Sequence, residues 1–300
     1  MNQFSISQLA QFSGIKPHTI RIWEQRYNAL QPQRSEGNTR YYDGFQLRRL
    51  LNIVSLMKTE HKVSSLCSMP DEELFRLLEQ HHEQAINETD YDYFVNQLIS
   101  AGMNYDESNF EKIFSHCFLR FGMTKTYEAV IYPLLTRIGI MWTSNAIPPS
   151  QEHYISNLLR QKLFTAIDSL PLIMDDEDSW MLFLPEDEFH EIGLLFANYL
   201  IRSRDKRSLY LGPNVPLSSI ENALKDTKVK NLLLFMVHRD LPENNREYLE
   251  ELSRIGKGKN IYLAVNPELS EEIKTEYPLN WLFSVADLEK AFSETNSTKT

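Results

Sequence analysis

Three hundred residues with a hydrophobic share of 42%, 10 glycines and 13 prolines exclude a low-complexity or disordered chain and leave room for two or three globular domains. The two cysteines, Cys67 and Cys117, exclude a disulfide framework and a cysteine zinc site. No apolar run approaches about 18 residues and the first residues lack a basic segment leading into an apolar one, so the expectation is a cytoplasmic protein with no membrane span.

The net charge of −10 is unevenly spread. Residues 1–62 carry nine Lys/Arg against four acids, while the other 238 residues carry 22 bases against 37 acids. That asymmetry predicts one polyanion-facing end on an acidic body.

In chain order, the hydroxyl residues Ser5 and Ser7 precede Ile6, Leu9, Ala10 and Phe12, which share one face of a short predicted helix ended by Gly14. Pro17 suits a first turn, and Thr19 to Tyr27 reads as a second helix with Ile20 and Trp23 inward and Arg21, Glu24 and Gln25 elsewhere. Two short helices about a glycine turn form a helix-turn-helix candidate. From Leu30 to Tyr42 a turn centre at Gly37-Asn38 lies between arms carrying Arg34 and Arg40, as in a β-hairpin wing, and a third helix is expected from about Gly44 to Lys58.

The run from Ile15 to Tyr42, with TIRIWEQRY, LQPQR and GNTRYY, resembles the DNA-binding domain of the MerR family of regulators. The resemblance implies a winged helix-turn-helix whose second helix enters the major groove of double-stranded operator DNA. Thr19 and Arg21 then lie near base edges, and Arg34, Arg40 and Tyr41 of the wing hold phosphates. Lys16, His18 and Arg26 are further candidates. The alternative for any one arginine is a solvated surface charge.

From Asp71 to about Leu170 glycine is scarce and apolar residues recur at helical spacing, as in Phe110, Ile113, Phe114, Cys117, Phe118 and Phe121. A central bundle of four or five helices is expected. Near its end stands Trp142, with nine residues before Glu152-His153. This spacing resembles the helical cap of cobalamin-dependent, light-sensing MerR-type repressors. The resemblance implies that Trp142 and Glu152 contact the upper face of adenosylcobalamin and that His153 lies close to cobalt after light. Taken alone, Trp142 reads equally as a core aromatic and Glu152-His153 as a helix-start polar pair.

After about Pro171 short apolar runs alternate with helical stretches: Met181–Phe183, Leu209–Gly212, Leu232–Val237, Ile261–Val265 and Trp281–Val285. Alternation of this kind predicts an α/β doubly wound parallel sheet with ligands at the carboxyl ends of its strands. At the first such end stands Glu188-Phe189-His190-Glu191-Ile192-Gly193. A loop histidine there offers a neutral nitrogen to a metal, and a carboxylate two residues earlier suits its other N–H. The Glu-x-His-x-x-Gly pattern resembles the signature of cobalamin-binding domains. It implies that His190 ligates cobalt from below, that Glu188 is its partner, and that Gly193 permits close helix–sheet approach. Those domains also carry Ser-x-Leu after the third strand and Gly-Gly after the fourth, where this chain has Val237-His238-Arg239-Asp240 and Asn266-Pro267.

The expected organisation is a winged helix-turn-helix at 1–75, a cap-like bundle at 76–172, a Rossmann-like domain at 173–292 and a polar tail at 293–300. The expected function is a non-enzymatic, sequence-specific regulator, homodimeric or tetrameric, switched through a cobalamin-type sensor and responsive to light. One alternative is a degenerate sensor that binds no corrinoid and answers to a protein partner or another small molecule. The other is a corrinoid-carrying methyltransferase module, which leaves the N-terminal reader without a role.

Overall fold

The computed structural model describes residues 4–34, 39–57, 59–74, 76–78, 91–143, 147–174, 178–236, 246–265, 277 and 279–297. Backbone contacts divide the chain into two compact units, residues 1–158 and 159–300.

In the first unit, α1 (Ile6–Ser13) starts with a capping box between Ser5 and Gln8 and stops at Gly14, whose φ of 72° is the left-handed conformation that glycine adopts without strain. α2 (Pro17–Tyr27) has Pro17 in its first turn and ends on Asn28, also left-handed. The wing strands β1 (Gln33–Arg34) and β2 (Arg40–Tyr41) pair antiparallel. The expected turn at Gly37-Asn38 and Lys58 at the end of the third helix lie outside the described residues. α3 (Gly44–Leu56) is capped by the Asp43 carboxylate and followed by the short α4 (Val63–Ser68). Phe4, Leu9, Phe12, Ile20, Leu47 and Leu50 close the core, and Phe4 pairs its backbone with Tyr42.

Onto this reader pack the bundle helices α5 (Tyr91–Met103), α6 (Glu107–Thr126) and α7 (Tyr132–Thr143). α3 lies against α5 and α1 against α7, and the buried Gln97 amide donates to Ser55 Oγ at 3.2 Å. Gly122, at φ 74° and ψ 168°, breaks the line of α6, where the Thr126 hydroxyl bonds the Cys117 carbonyl. A single π-helical turn, Tyr127–Ile131, leads into α7. α8 (Pro149–Asp168) reaches α5 closely because position 102 is glycine: a Cβ there would stand 2.3 Å from Ile155 Cγ1.

The second unit holds a parallel sheet of order β4-β3-β5-β6-β7: β3 (Trp180–Pro185), β4 (Ser208–Val215), β5 (Asn231–Met236), β6 (Asn260–Val265) and β7 (Asn280–Leu282). Each expected strand is present within a few residues of its predicted ends. β3 is buried along its whole length, as a strand covered on both faces must be. Met181, Phe183, Leu232 and Leu234 point to one face, under Ile220 of α10 (Leu217–Asp226) and Leu249 and Leu252 of α11 (Arg246–Ile255). Trp180 lies on the other face against Phe292 of α12 (Val285–Ser297), with its ring 5.3 Å away, and α9 (Ile192–Arg202) lies along β3 and β4. At the amino ends of the strands Asp178 pairs with the buried Lys206 and accepts from Asn231, which in turn accepts from Asn260.

Candidate DNA interface and ligand site

The exposed face of α2 carries His18, Arg21 and Gln25 at helical spacing, with Ile20 and Trp23 buried behind them. Lys16 is its exposed N-cap, and Thr19 Oγ1 lies 3.3 Å from His18 Nε2. Arg26 stands in the last turn, where a cation favours the helix dipole. Across the wing ladder Arg34 faces Arg40, and the Tyr41 hydroxyl donates to Gln33 Oε1 at 2.7 Å. Arg40 is not turned wholly outward. Its Nε reaches Glu24 Oε1 at 3.0 Å, and the Tyr42 hydroxyl donates to Glu24 Oε2 at 2.7 Å. Glu24 therefore braces β2 against α2. Burial first, and then Glu24, push the Tyr42 hydroxyl well above its usual pKa, which keeps the proton in this bond.

Two features escaped the sequence reading. Arg49 donates from Nε to the Ala29 carbonyl at 2.7 Å, and from its guanidinium to the Cys67 and Met69 carbonyls at 2.8 and 2.7 Å and to Asp71. It is a strut between the end of α2 and the end of α4. An open groove between the end of α2 and α4 is lined by Arg26, Glu60, His61, Lys62, Ser64 and Ser65, a mixed-charge, hydroxyl-rich surface. The count of bases before residue 62 was its one sequence signal.

In the bundle, Trp142 sits in the last turn of α7, 50% exposed, and is a surface aromatic rather than a core one. Glu152 and His153 occupy the first turn of α8, with His153 Nδ1 2.8 Å from Glu152 Oε2 and Ser156 Oγ donating to Glu152 Oε1 at 2.6 Å. A carboxylate in a first turn complements the helix dipole. The imidazole of the pair is 71% exposed.

In the sheet unit the chain leaves β3 for β4 on one side and returns to β5 on the other, so the carboxyl end of β3 is the switch point where doubly wound folds take ligands. The loop there holds Glu188, Phe189 and His190. Glu188 is 3% exposed, and its Oε1 accepts from the backbone of Phe189 and of His190, each at 2.9 Å, and lies 2.6 Å from His190 Nδ1. The loop is tied to the end of β4: Asp187 N–H donates to Asn214 Oδ1 at 3.0 Å and Asn214 N–H to the Glu188 carbonyl at 3.1 Å. Both Asp187 and Asn214 are left-handed, at φ 64° and 56°, a conformation that short polar side chains tolerate. The carboxylate holds the imidazole by Nδ1, on a side chain 59% exposed. Phe189 is exposed beside it, and Gly193 lies in the first turn of α9, partly buried.

This donor set fits cobalamin. One imidazole offers one bond, which suits a metal that arrives with its other ligands in place, and a carboxylate on the far nitrogen raises that imidazole's basicity. The carboxyl ends of β5 and β6 fit less well, because Met236 is 1% exposed in the core and Val265 packs against the same cluster. Residues 237–240 and 266–267, where the tail-pocket motifs are missing, lie outside the described residues.

Residues 4–65 match the family of MerR HTH regulatory proteins, and residues 76–166 match the B12 binding domain. The HTH-type transcriptional repressor CarH of Myxococcus xanthus is 26% identical over 228 residues, 74% of this chain and 74% of CarH. The HTH-type transcriptional repressor CarA of the same organism is 24% identical over 257 residues, 83% of this chain and 82% of CarA. Among solved structures, the monomethylamine corrinoid protein of Methanosarcina barkeri superposes with a TM-score of 0.54 at 14% identity, over 66% of this chain and 95% of that one, a likeness of fold. The chain is a DNA-binding regulator that carries a MerR HTH domain and a B12-binding domain and is homologous to the repressors CarH and CarA.

Proposed function

We propose that this regulator is a cytoplasmic, non-enzymatic protein that binds operator DNA as a homodimer or tetramer and takes adenosylcobalamin as its sensing group. The reader is assigned to residues 1–75, the cap to 76–172 and the sheet domain to 173–292. Arg21 and Thr19 meet base edges. Arg34 and Tyr41 hold phosphates, with Lys16, His18 and Arg26 beside them, and Arg40 shares its charge between the backbone of DNA and Glu24. His190 would hold the cobalt of the group, with Glu188 fixing the imidazole by Nδ1. Trp142, Glu152 and His153 would recognise the adenosyl group, and Gly193 opens the start of α9. When bound, the group supplies a cobalt–carbon bond that light breaks, which makes light the signal. The protein's part is to hold and orient the ligand.

The observation that carries this reading is the buried Glu188 carboxylate holding His190 at the sheet's switch point. The test is the visible spectrum of the full chain after loading with adenosylcobalamin in the dark and removal of free cofactor. A coloured protein whose spectrum changes in the His190→Ala variant supports it, and a colourless one overturns it. A second reading, a sensor that binds no corrinoid and answers to a protein or another small molecule, is favoured by Met236 filling the core at the end of β5. A colourless protein that still binds operator DNA would select it.

A further inference from the structure

Glu191, the residue after His190, has a carboxylate that is 14% exposed yet makes no cap bond to the helix it precedes. It is used elsewhere. Oε1 meets Arg160 Nε of α8 at 2.8 Å, and Oε2 accepts from the Tyr210 hydroxyl of β4 at 3.2 Å. Its backbone is engaged too: the N–H donates to the Phe189 carbonyl at 2.9 Å and the carbonyl accepts from Leu195 N–H at 2.8 Å. A charge this far from water is retained only where it is paired and hydrogen-bonded. Burial first, and then Glu191, raise the Tyr210 hydroxyl above its usual pKa, so it remains a donor throughout the physiological range.

These contacts engage the residue after His190, while Glu188 is two residues before it. Glu188 and Asn214 fix the amino-terminal part of the loop, and Arg160 with Tyr210 fix its carboxyl-terminal part through Glu191. His190 stands between the two anchors. A side chain meant to meet a ligand must be held to within roughly half an ångström, by neighbours whose own positions are fixed.

We propose that Arg160, Glu191 and Tyr210 form a positioning lock that sets His190 in place before any ligand arrives. The inference rests on the reading of His190 as the axial ligand. In the apo protein the lock keeps the loop ordered. In the loaded protein it would hold the imidazole steady through the loop, with no direct contact to His190 required. Outer partners of this kind typically change metal affinity about tenfold to a hundredfold when removed.

The experiment compares the full chain with Tyr210→Phe, which keeps the ring and deletes one hydroxyl, with Glu191→Gln, and with Arg254→Ala as a control that removes an exposed ion pair on α11. Amide exchange of residues 186–191 is measured without ligand. Retention of hydroxocobalamin and its bound visible spectrum are measured with it. The thermal midpoint of each variant separates loss of the lock from loss of the domain. Expected are exchange at least tenfold faster in the loop for Glu191→Gln and Tyr210→Phe, cobalamin retention reduced about tenfold, a spectrum shifted toward that of His190→Ala, and a control like the parent. Parent-like exchange and retention in both variants would overturn the lock, as would losses that only track a lowered thermal midpoint. If the parent chain takes up no cobalamin, the sensor reading falls and exchange in the ligand-free chain alone decides the lock.

Discussion

Arg21 stands on the exposed face of α2, proposed to face base edges, and a guanidinium at a base edge is worth about 1–3 kcal/mol of discrimination. Arg21→Ala is therefore expected to level the affinities for operator and scrambled duplex in an anisotropy titration. Arg34→Ala should weaken binding to every sequence and reduce the salt slope by about one, the signature of one lost phosphate contact. Arg40→Ala should act differently, because its Nε bonds Glu24. Part of its loss is expected as a looser wing, so Glu24→Gln should reproduce part of the effect without removing any base. The buried thiols make a separate test. Burial pushes the Cys67 thiol up to about 11 and the Cys117 thiol up to about 12. An unfolded thiol ionises near 8.5 and the folded ones do not, so stability is present below that pH and declines as pH rises toward 11 and beyond. Denaturant midpoints at pH 7 and 9.5 should differ in that direction, and by less in a Cys117→Ala variant. Glu188 and His190 were legible in the sequence because partner and ligand stand two residues apart. Glu24 with Arg40 and Arg49 with the α4 carbonyls were not, since 16 and about 20 residues separate the partners and either arginine reads equally as a solvated charge.

Among the elements, caps and periods carried most of the information. Ser5, Gly14, Pro17 and Asp43 mark helix ends by mechanisms that need no tertiary context, and the five apolar runs are short enough to be strands and continuous enough to be buried ones. The break at Gly122 and the π-helical turn after it were not legible. Helical spacing continues across both, and one glycine inside an apolar pattern is tolerated as often as it breaks one. Gly102 shows the same limit in reverse, since its role depends on Ile155, 53 residues later. Replacing it with alanine places a Cβ 2.3 Å from Ile155 Cγ1, so α8 or the Ile155 rotamer must shift. Overpacking of this kind costs about 1–3 kcal/mol, and Gly102→Ala is expected to lower the thermal midpoint, with partial rescue by Ile155→Val.

Over the first unit, the reader and the bundle are joined by more than chain connectivity. Leu50, Ile53 and Leu56 of α3 are fully buried or nearly so, α3 packs on α5, and Gln97 bonds Ser55 inside that contact. A fragment ending at residue 75 removes α5 and exposes part of this apolar face. It should bind the hydrophobic dye ANS and melt well below residues 1–158, and equal melting of the two would refute a shared core. The shared core also bears on inheritance. A reader joined by a loose tether is exchanged between regulators whole, as a cassette, whatever domain it is spliced to. Here a donor reader must bring an α3 surface matched to the recipient's α5, or the two helices must diverge together. New operator preferences in such a lineage are expected to arise by substitution on the exposed face of α2, where His18, Arg21 and Gln25 change without disturbing the bundle, rather than by shuffling of whole domains.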